Sequence, residues 1–521
     1  MPQPPDAPVL TDRLLRSWVR CRRRAWLDLH GPSQERSWSA HRALALDDQL
    51  RSFQSLLPQR PGHGEEACRA GAPGVVGLRL VGTGPRGLRL EAHPSLLERV
   101  EEPSRWGAHS YRPVLARQGR RLTREHRVLL ALWGRLLAEH QQAPVPHGLV
   151  VAGGDRGLER ERLALGGSLQ RQLDESLERL ALELERSEPP PLVSDRKKCT
   201  LCSWRGACDR VAASEGHLSE VSGIGGKRRE LLLELGIASL DQLAATDPDR
   251  LAEDLAAHGE QHREVAPKLV AQARVQQEGV PRRSDEGTCP ALPELAAAPG
   301  VLLYDIESDP DARDDFLHGL VRLERGADGR WPEAPAPGEI LGRYHPLLAL
   351  QEHGEARLWG RLSTLLARYP DWPVLHYGET ESVSLLRLAE RQGASEAERQ
   401  RLRTRLVDVH QRLRRHWLLP VNSYGLKAVA GWLGFSWSQK GVDGARCLLW
   451  WRQWREGSGG PRRPSRAALV RKLQRIFRYN QDDSLATWAV VRWLLDQDAL
   501  TPSTAPFAAP PPVPPAPTGG G

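Results

Sequence analysis

The stretch whose reading decides the fold is "LLYDIESDP", Leu302–Pro310. It opens apolar, as a buried strand does, and then places Asp305 and Glu307 on either side of Ile306. Side chains in a strand alternate between faces, so the two carboxylates share one face. Burying two like charges together is unfavourable unless a cation compensates them. A divalent metal at the strand end would do so. A strand running out into a solvated turn, with Ser308, Asp309 and Pro310 as turn residues, also accounts for the pair.

Further along, "RIFRYNQDDSLATWAVVRWLL" has helical apolar periodicity from about Arg471 to Leu495. Tyr479 and Asp483 are four apart and lie on one helix face, while Asp482 is expected to be a solvated acid. A helix presenting Tyr-x-x-x-Asp to a strand presenting Asp-x-Glu can build a site for two Mg²⁺ or Mn²⁺ ions, for which carboxylates are suitable hard ligands. Between them, "PVLHYGETESVSLLRLAE" reads as a strand, a turn at His376–Gly378 and a helix opened near Glu381. An acid in a first helical turn is favoured by the helix dipole in any case. Lys427, in "SYGLK", suits a phosphate contact and equally an ordinary surface lysine.

Together with "RLVDVHQRL" and "LPVNSYGLKAVAGWLGF", these motifs make residues 299–500 resemble an RNase H-like 3′–5′ exonuclease domain of the DnaQ-type superfamily. The resemblance implies four acidic metal ligands, here Asp305, Glu307, Glu381 and Asp483, with Tyr479 positioning the attacking water. Glu381 stands where the wider superfamily has Asp. Asp408 matches a common acidic position and is expected to support the site without ligating.

Three of the seven cysteines are clustered as Cys199-x-x-Cys202-x5-Cys208. In a reducing compartment such clusters point to metal before disulfides, and Cys21 is the candidate fourth thiol. Spacing does not separate zinc from a [4Fe–4S] cluster. "CRRRAWL" at 21–27 with the triplet at 199–208 resembles the iron–sulfur RecB/AddB-type nucleases of the PD-(D/E)XK superfamily. That resemblance implies a cluster joining the two ends of the domain. Its catalytic positions are changed: Ser95 stands for the Asp, Leu115 and Arg117 for Glu and Lys, and Leu129 and Trp133 for Gln and Tyr. The expectation is a nuclease fold without catalysis that keeps a basic groove, "RQGRRLTREHR". Cys68, Cys289 and Cys447 are expected to be ordinary thiols.

"VSGIGGKRRELLLELGI" resembles a helix-hairpin-helix, with Gly223, Gly225, Lys227 and Arg228 as candidate nucleic-acid contacts at a helix N-terminus. It lacks the glycine spacing and the Ser/Thr of a P-loop.

The chain has 521 residues, 40% hydrophobic and 26% charged, with a net charge of +8 carried mostly by arginine. This composition suits a soluble multidomain protein with a polyanionic partner; that the partner is DNA rather than RNA is what the resemblances imply. The sequence has no apolar run of membrane-spanning length and no secretory pattern at its N-terminus, so a cytoplasmic protein without a membrane span is expected. The expected domains are a degenerate RecB-type restriction-endonuclease-like α/β domain (1–209), a helix-hairpin-helix unit (210–278), a linker (279–298), an RNase H-like α/β domain with a mixed central sheet (299–500) and a disordered Pro-rich tail (501–521). That order resembles bacterial two-domain RecB-like nucleases. It implies a metal-dependent 3′–5′ exonuclease in DNA processing or repair. The alternative is a non-catalytic nucleic-acid-binding scaffold carrying an iron–sulfur cluster.

Overall fold

Val301–Tyr304 is fully buried because it forms the middle strand of a sheet covered on both faces. The computed structural model describes residues 9–37, 39–117, 121–154, 157–284, 290–309, 314–333, 343–350, 354–457 and 464–500. Pro310, Cys289 and the Pro-rich tail lie outside the described residues. The structure comprises two compact units, one spanning Met1–Leu243 and Asp254–His262, the other Ala244–Glu253 and Arg263–Gly521.

In the second unit the main sheet is built from β1 (Gly300–Asp309), β2 (Asp314–Glu324), β3 (Tyr344–Leu348), β4 (Val374–His376) and β5 (Leu406–Asp408). Their order across the sheet is β3-β2-β1-β4-β5. β1, β2 and β3 pair antiparallel, whereas β1, β4 and β5 run parallel. The principal helices are α1 (Gly354–Arg368), α2 (Glu379–Arg391), α3 (Leu426–Trp432), α4 (Gly444–Glu456) and α5 (Arg466–Leu500). The alternation along β1 sorts its two faces. Leu302 and Tyr304 pack with Leu358 and Leu362 of α1 and Leu385 and Leu388 of α2. Val301 and Leu303 pack with Leu485, Trp488 and Val491 of α5. Asp305 and Glu307 continue the α5 side.

β1 does not end at the carboxylates. It continues to Asp309 through a register shift between Glu307 and Ser308, a bulge that turns the strand beside the acidic pair. Asp309 is not a solvated turn residue: it is 4% exposed and takes a two-pronged ion pair from Arg452 of α4, at 2.8 and 2.9 Å.

In the first unit a six-stranded mixed sheet runs in the order Gly62–His63, Gly74–Val76, Leu96–Val100, Ser110–Ala116, His147–Gly154 and Gly157–Ala164. Helices Arg124–Gln141 and Gly167–Leu184 bury their apolar sides in its main core. The basic stretch near the N-terminus forms two helices, Asp12–Arg20 and Arg22–His30. Cys21 is the break, in extended backbone (φ −164°, ψ 121°) between them. Among the described residues, no helix is long and apolar enough to cross a membrane.

Candidate metal centre and active site

The acidic centre is assembled by two elements. β1 supplies Asp305 and Glu307, and α5 lies across the same face of the sheet and supplies Asp483. One carboxylate oxygen from each comes within 4.8 Å of the others. α5 can approach so closely because Asp305 is paired in register with Gly319 of β2. A Cβ on Gly319 would lie 1.7 Å from Asn480 Oδ1. The space is taken by a short chain of hydrogen bonds: Tyr344 Oη donates to Asn480 Oδ1 at 2.9 Å, and Asn480 Nδ2 donates to Asp305 Oδ2 at 2.6 Å. Neither Asn480 nor Tyr344 was singled out by the sequence. A glycine inside the apolar strand pattern "HGLVRL" was the available sign of a close approach.

The carboxylates are held in a medium that resists their charge. Burial, then the charges of Asp483, Glu307 and Glu381, push the Asp305 carboxyl well above the usual range. Burial and Asp483 do the same to Glu307, against the pull of Lys427. Asp483 is pushed up to about 6 by burial, while the Trp437 indole, Lys427 and the Tyr479 hydroxyl hold it down. Trp437 Nε1–H donates to Asp483 Oδ1 at 2.6 Å. A buried cluster of three hard oxygen donors with mutually unfavourable charges is the chemistry that a divalent cation relieves.

Tyr479 is buried against the same group, and its hydroxyl is hydrogen-bonded to Asp483. Burial and the surrounding carboxylates push it far above the usual phenol range, so it keeps its proton. Lys427 Nζ lies 5.1 Å from the centre of the Tyr479 ring and 5.9 Å from that of Trp437, which places this exposed lysine at the rim of the centre. Cys447, fully buried on α4, has its thiol pushed up by burial and by Glu307 and Asp483, so it packs beside the acids.

Glu381 stands outside the compact group. It belongs to α2, which covers the opposite face of the sheet, and reaches the centre only from its helix start. Burial, then Asp408, Asp483 and Asp315, push it up to about 7, and its Oε2 has no hydrogen-bond partner among the described residues. Gly378 makes the turn before it, at φ 120°. Asp408 fixes that turn: its Oδ1 accepts from the N–H groups of Gly378 and Gln411, both at 3.1 Å. Asp482 corrects the sequence reading. It is fully buried and its Oδ2 accepts from the backbone N–H and hydroxyl of Ser438, at 2.9 and 2.6 Å.

Residues 302–495 match RNase_H_2, a family model of the RNase H superfamily. The C-terminal part of the chain thus carries an RNase H-like domain, and the matched segment contains Asp305, Glu307, Glu381, Tyr479 and Asp483. The curated proteins include no match to the chain. Outside the RNase H-like domain, the structure places the remaining candidates as follows.

Cys21, Cys199, Cys202 and Cys208 are half-buried free thiols. Every pair among them interacts electrostatically. Burial, followed by Cys21 and Cys202, pushes Cys199 up to about 11. The fold therefore brings Cys21 within electrostatic range of the triplet across 178 residues of sequence, from 21 to 199. Leu115 and Leu129 are core residues, 2% exposed. Trp133 donates its indole N–H to Asp12 at 2.9 Å, Arg117 pairs with Glu159 at 2.8 Å, and Ser95 directly precedes the strand Leu96–Val100. Gly223 adopts φ +96°, and Gly225 precedes helix Gly226–Glu234. Arg228 folds back to donate to the Gly223 carbonyl at 2.7 Å, while Lys227 is exposed in the first turn.

Proposed function

We propose that the RNase H-like domain is a metal-dependent nuclease, a 3′–5′ exonuclease acting on nucleic-acid ends in DNA processing. The carrying observation is the convergence of Asp305, Glu307 and Asp483 within 4.8 Å. Two Mg²⁺ or Mn²⁺ ions held by these residues, with Glu381 as the outlying fourth carboxylate, would supply an activated water and stabilise the leaving oxygen of a phosphodiester. The chain's own groups do the rest. Asn480 orients Asp305, and Trp437 fixes one oxygen of Asp483. Tyr479, protonated and tied to Asp483, is placed to hold a water for attack. Lys427 at the rim suits a phosphate oxygen. Polarity and the preference for DNA rest on the likeness of the "YDIES", "HYGETE" and "YNQDDSLAT" motifs to DnaQ-type exonucleases.

The test is digestion of 5′- and 3′-labelled single strands, DNA and RNA, with Mg²⁺ or Mn²⁺. Wild type should shorten a 5′-labelled DNA strand progressively, and Asp305→Ala should be slower by at least about 10³-fold, as expected when a metal ligand of the chemical step is removed. Equal inertness of both proteins on every substrate would overturn the catalytic reading.

For the first unit the proposed role is non-catalytic: a RecB-type nuclease fold with a cluster at Cys21, Cys199, Cys202 and Cys208, [4Fe–4S] or zinc, next to a helix-hairpin-helix. The neighbourhood of all four thiols supports the cluster, and the apolar Leu115 at an acid position supports the loss of catalysis. The scaffold reading of the whole chain would be favoured by salt-dependent DNA binding without cleavage.

A further inference from the structure

The first unit holds a cleft of about 600 Å³ that the proposed hydrolysis does not use, with Cys21 of the proposed cluster in its lining. Six arginines line it: Arg20, Arg22, Arg23, Arg124, Arg179 and Arg186. The one acid in its lining is Glu183. Local pairing leaves most of this charge available. Glu183 is shared between Arg22 at 3.4 Å and Arg186 at 3.9 Å, both long for an ion pair. Arg20 meets Glu125, which also holds Arg16. Among the described residues, Arg124 hydrogen-bonds only the Ser176 hydroxyl, at 3.2 Å, and lies over the Trp18 ring. Arg179 has no ion pair or hydrogen bond among the described residues. Arg20, Arg22 and Arg186 keep 51%, 61% and 51% of their side chains open to solvent, so a ligand can reach them.

The walls are fixed before any ligand arrives. Arg23 donates to the Pro190 carbonyl at 2.8 Å and the Trp26 indole to the Arg186 carbonyl at 2.9 Å. His30 bonds the Leu184 carbonyl at 2.9 Å. These bonds pin the segment after helix Gly167–Leu184 to helix Arg22–His30. A concave surface with one sign of charge in large excess concentrates the field, and guanidinium forks match phosphate oxygens. The cleft is also within the range of about 300–1,000 Å³ usual for ligand pockets.

We infer that this cleft binds the phosphodiester backbone of a nucleic-acid strand, without reading its bases, as a contact separate from the acidic centre. Arginine contacts to phosphate position a strand but carry no sequence information directly. The net charge of +8 and the preponderance of arginine over lysine fit a strand better than a small metabolite. The inference does not depend on the RNase H-like domain being active.

The experiment is fluorescence anisotropy of a labelled 12-nucleotide single strand of mixed sequence with the full chain, in buffer without added divalent ion, across a salt series. Arg179→Ala/Arg186→Ala should weaken binding at least about tenfold and flatten the log K against log salt slope by about 1.4, two phosphate contacts' worth. Arg179→Lys/Arg186→Lys, which keeps the charge, should retain the slope. Wild-type affinity and slope in the alanine variant would overturn the inference. So would a lysine variant as weak and as salt-insensitive as the alanine variant. If the alanine variant lost only inorganic phosphate or mononucleotide binding and kept its affinity for the strand, the cleft would be a small-phosphate site and the strand assignment would fall. Cleavage by the wild type together with unchanged strand binding by the Arg179→Ala/Arg186→Ala variant would overturn this inference and leave the acidic centre's reading standing, while loss of strand binding in that variant, in a protein that does not cleave, would do the reverse.

Discussion

At the residue scale, the acidic centre depends on groups that carry no formal charge. Asn480 is fully buried and donates to Asp305 while accepting from Tyr344. Groups that orient a metal ligand typically change affinity or activity by about 10–100-fold when removed. Asn480→Ala should therefore lower cleavage by about that factor. It should also raise the Mn²⁺ concentration needed for half-maximal rate, read by metal titration of the labelled-strand assay. A second residue acts on stability. His318 faces away from the acids, bonded through Nδ1 to the Tyr304 hydroxyl at 2.7 Å. Burial pushes it down to about 4 from an ordinary 6.5, against Asp315 and Glu355, which favour its charged form. Between those values the unfolded chain binds a proton that the folded one refuses. Stability should thus fall as pH drops from 6.5 towards 4, by roughly 3 kcal/mol in all. Urea denaturation at pH 7 and pH 5 checks the direction, and His318→Asn, which keeps an acceptor for Tyr304, should flatten the dependence.

At the scale of elements, the decisive fit is α5 across β1 and β2. Gly319→Ala would put a methyl 1.7 Å from Asn480 Oδ1. Overpacking of this kind usually destabilises by about 1–3 kcal/mol, and here it must also displace the group that orients Asp305. The expected result is a lower urea midpoint together with reduced cleavage. The end of β1 is anchored to α4 through the buried Asp309–Arg452 pair. Asp309→Ala leaves the Arg452 guanidinium without this partner in the interior, which should cost about 3–5 kcal/mol by denaturation. Asp309→Ala with Arg452→Met should recover much of that loss, because no charge is then stranded. These elements were partly legible beforehand. The strand character of Gly300–Glu307 and the helix about Arg471–Leu495 followed from apolar periodicity, whereas the helix extends in fact from Arg466 to Leu500. Asp482 read as a solvated acid, and Asp309 as a turn residue in one of two readings, because partners such as Ser438 and Arg452 are 44 and 143 residues away.

At the scale of the molecule, the two compact units carry different kinds of site. One has buried carboxylates that suit hard cations, and the other has thiols and arginines. If the four thiols hold a [4Fe–4S] cluster, anaerobically purified protein should contain about four irons and matching acid-labile sulfide per chain. Cys21→Ser should lose them and Cys68→Ser should not, since Cys68 is buried on its own. Stoichiometric zinc without iron would assign the site to zinc. The break between helices Asp12–Arg20 and Arg22–His30 gives Cys21 its place. It was invisible in a stretch whose composition favours helix on both sides.

The sequence by itself determined the candidates: Asp305, Glu307, Tyr479 and Asp483 through strand and helix periods, and the cysteine triplet through spacing. Periodicity reports which face a residue occupies, so it could pair Asp305 with Glu307 and Tyr479 with Asp483. Only the tertiary structure decided what meets what. It brought Asp483 to the β1 pair through the gap left by Gly319, kept Glu381 at the margin because α2 covers the other face, and set Cys21 within electrostatic range of its triplet. Those outcomes depend on distances between segments far apart in the chain, which the local pattern of side chains does not encode.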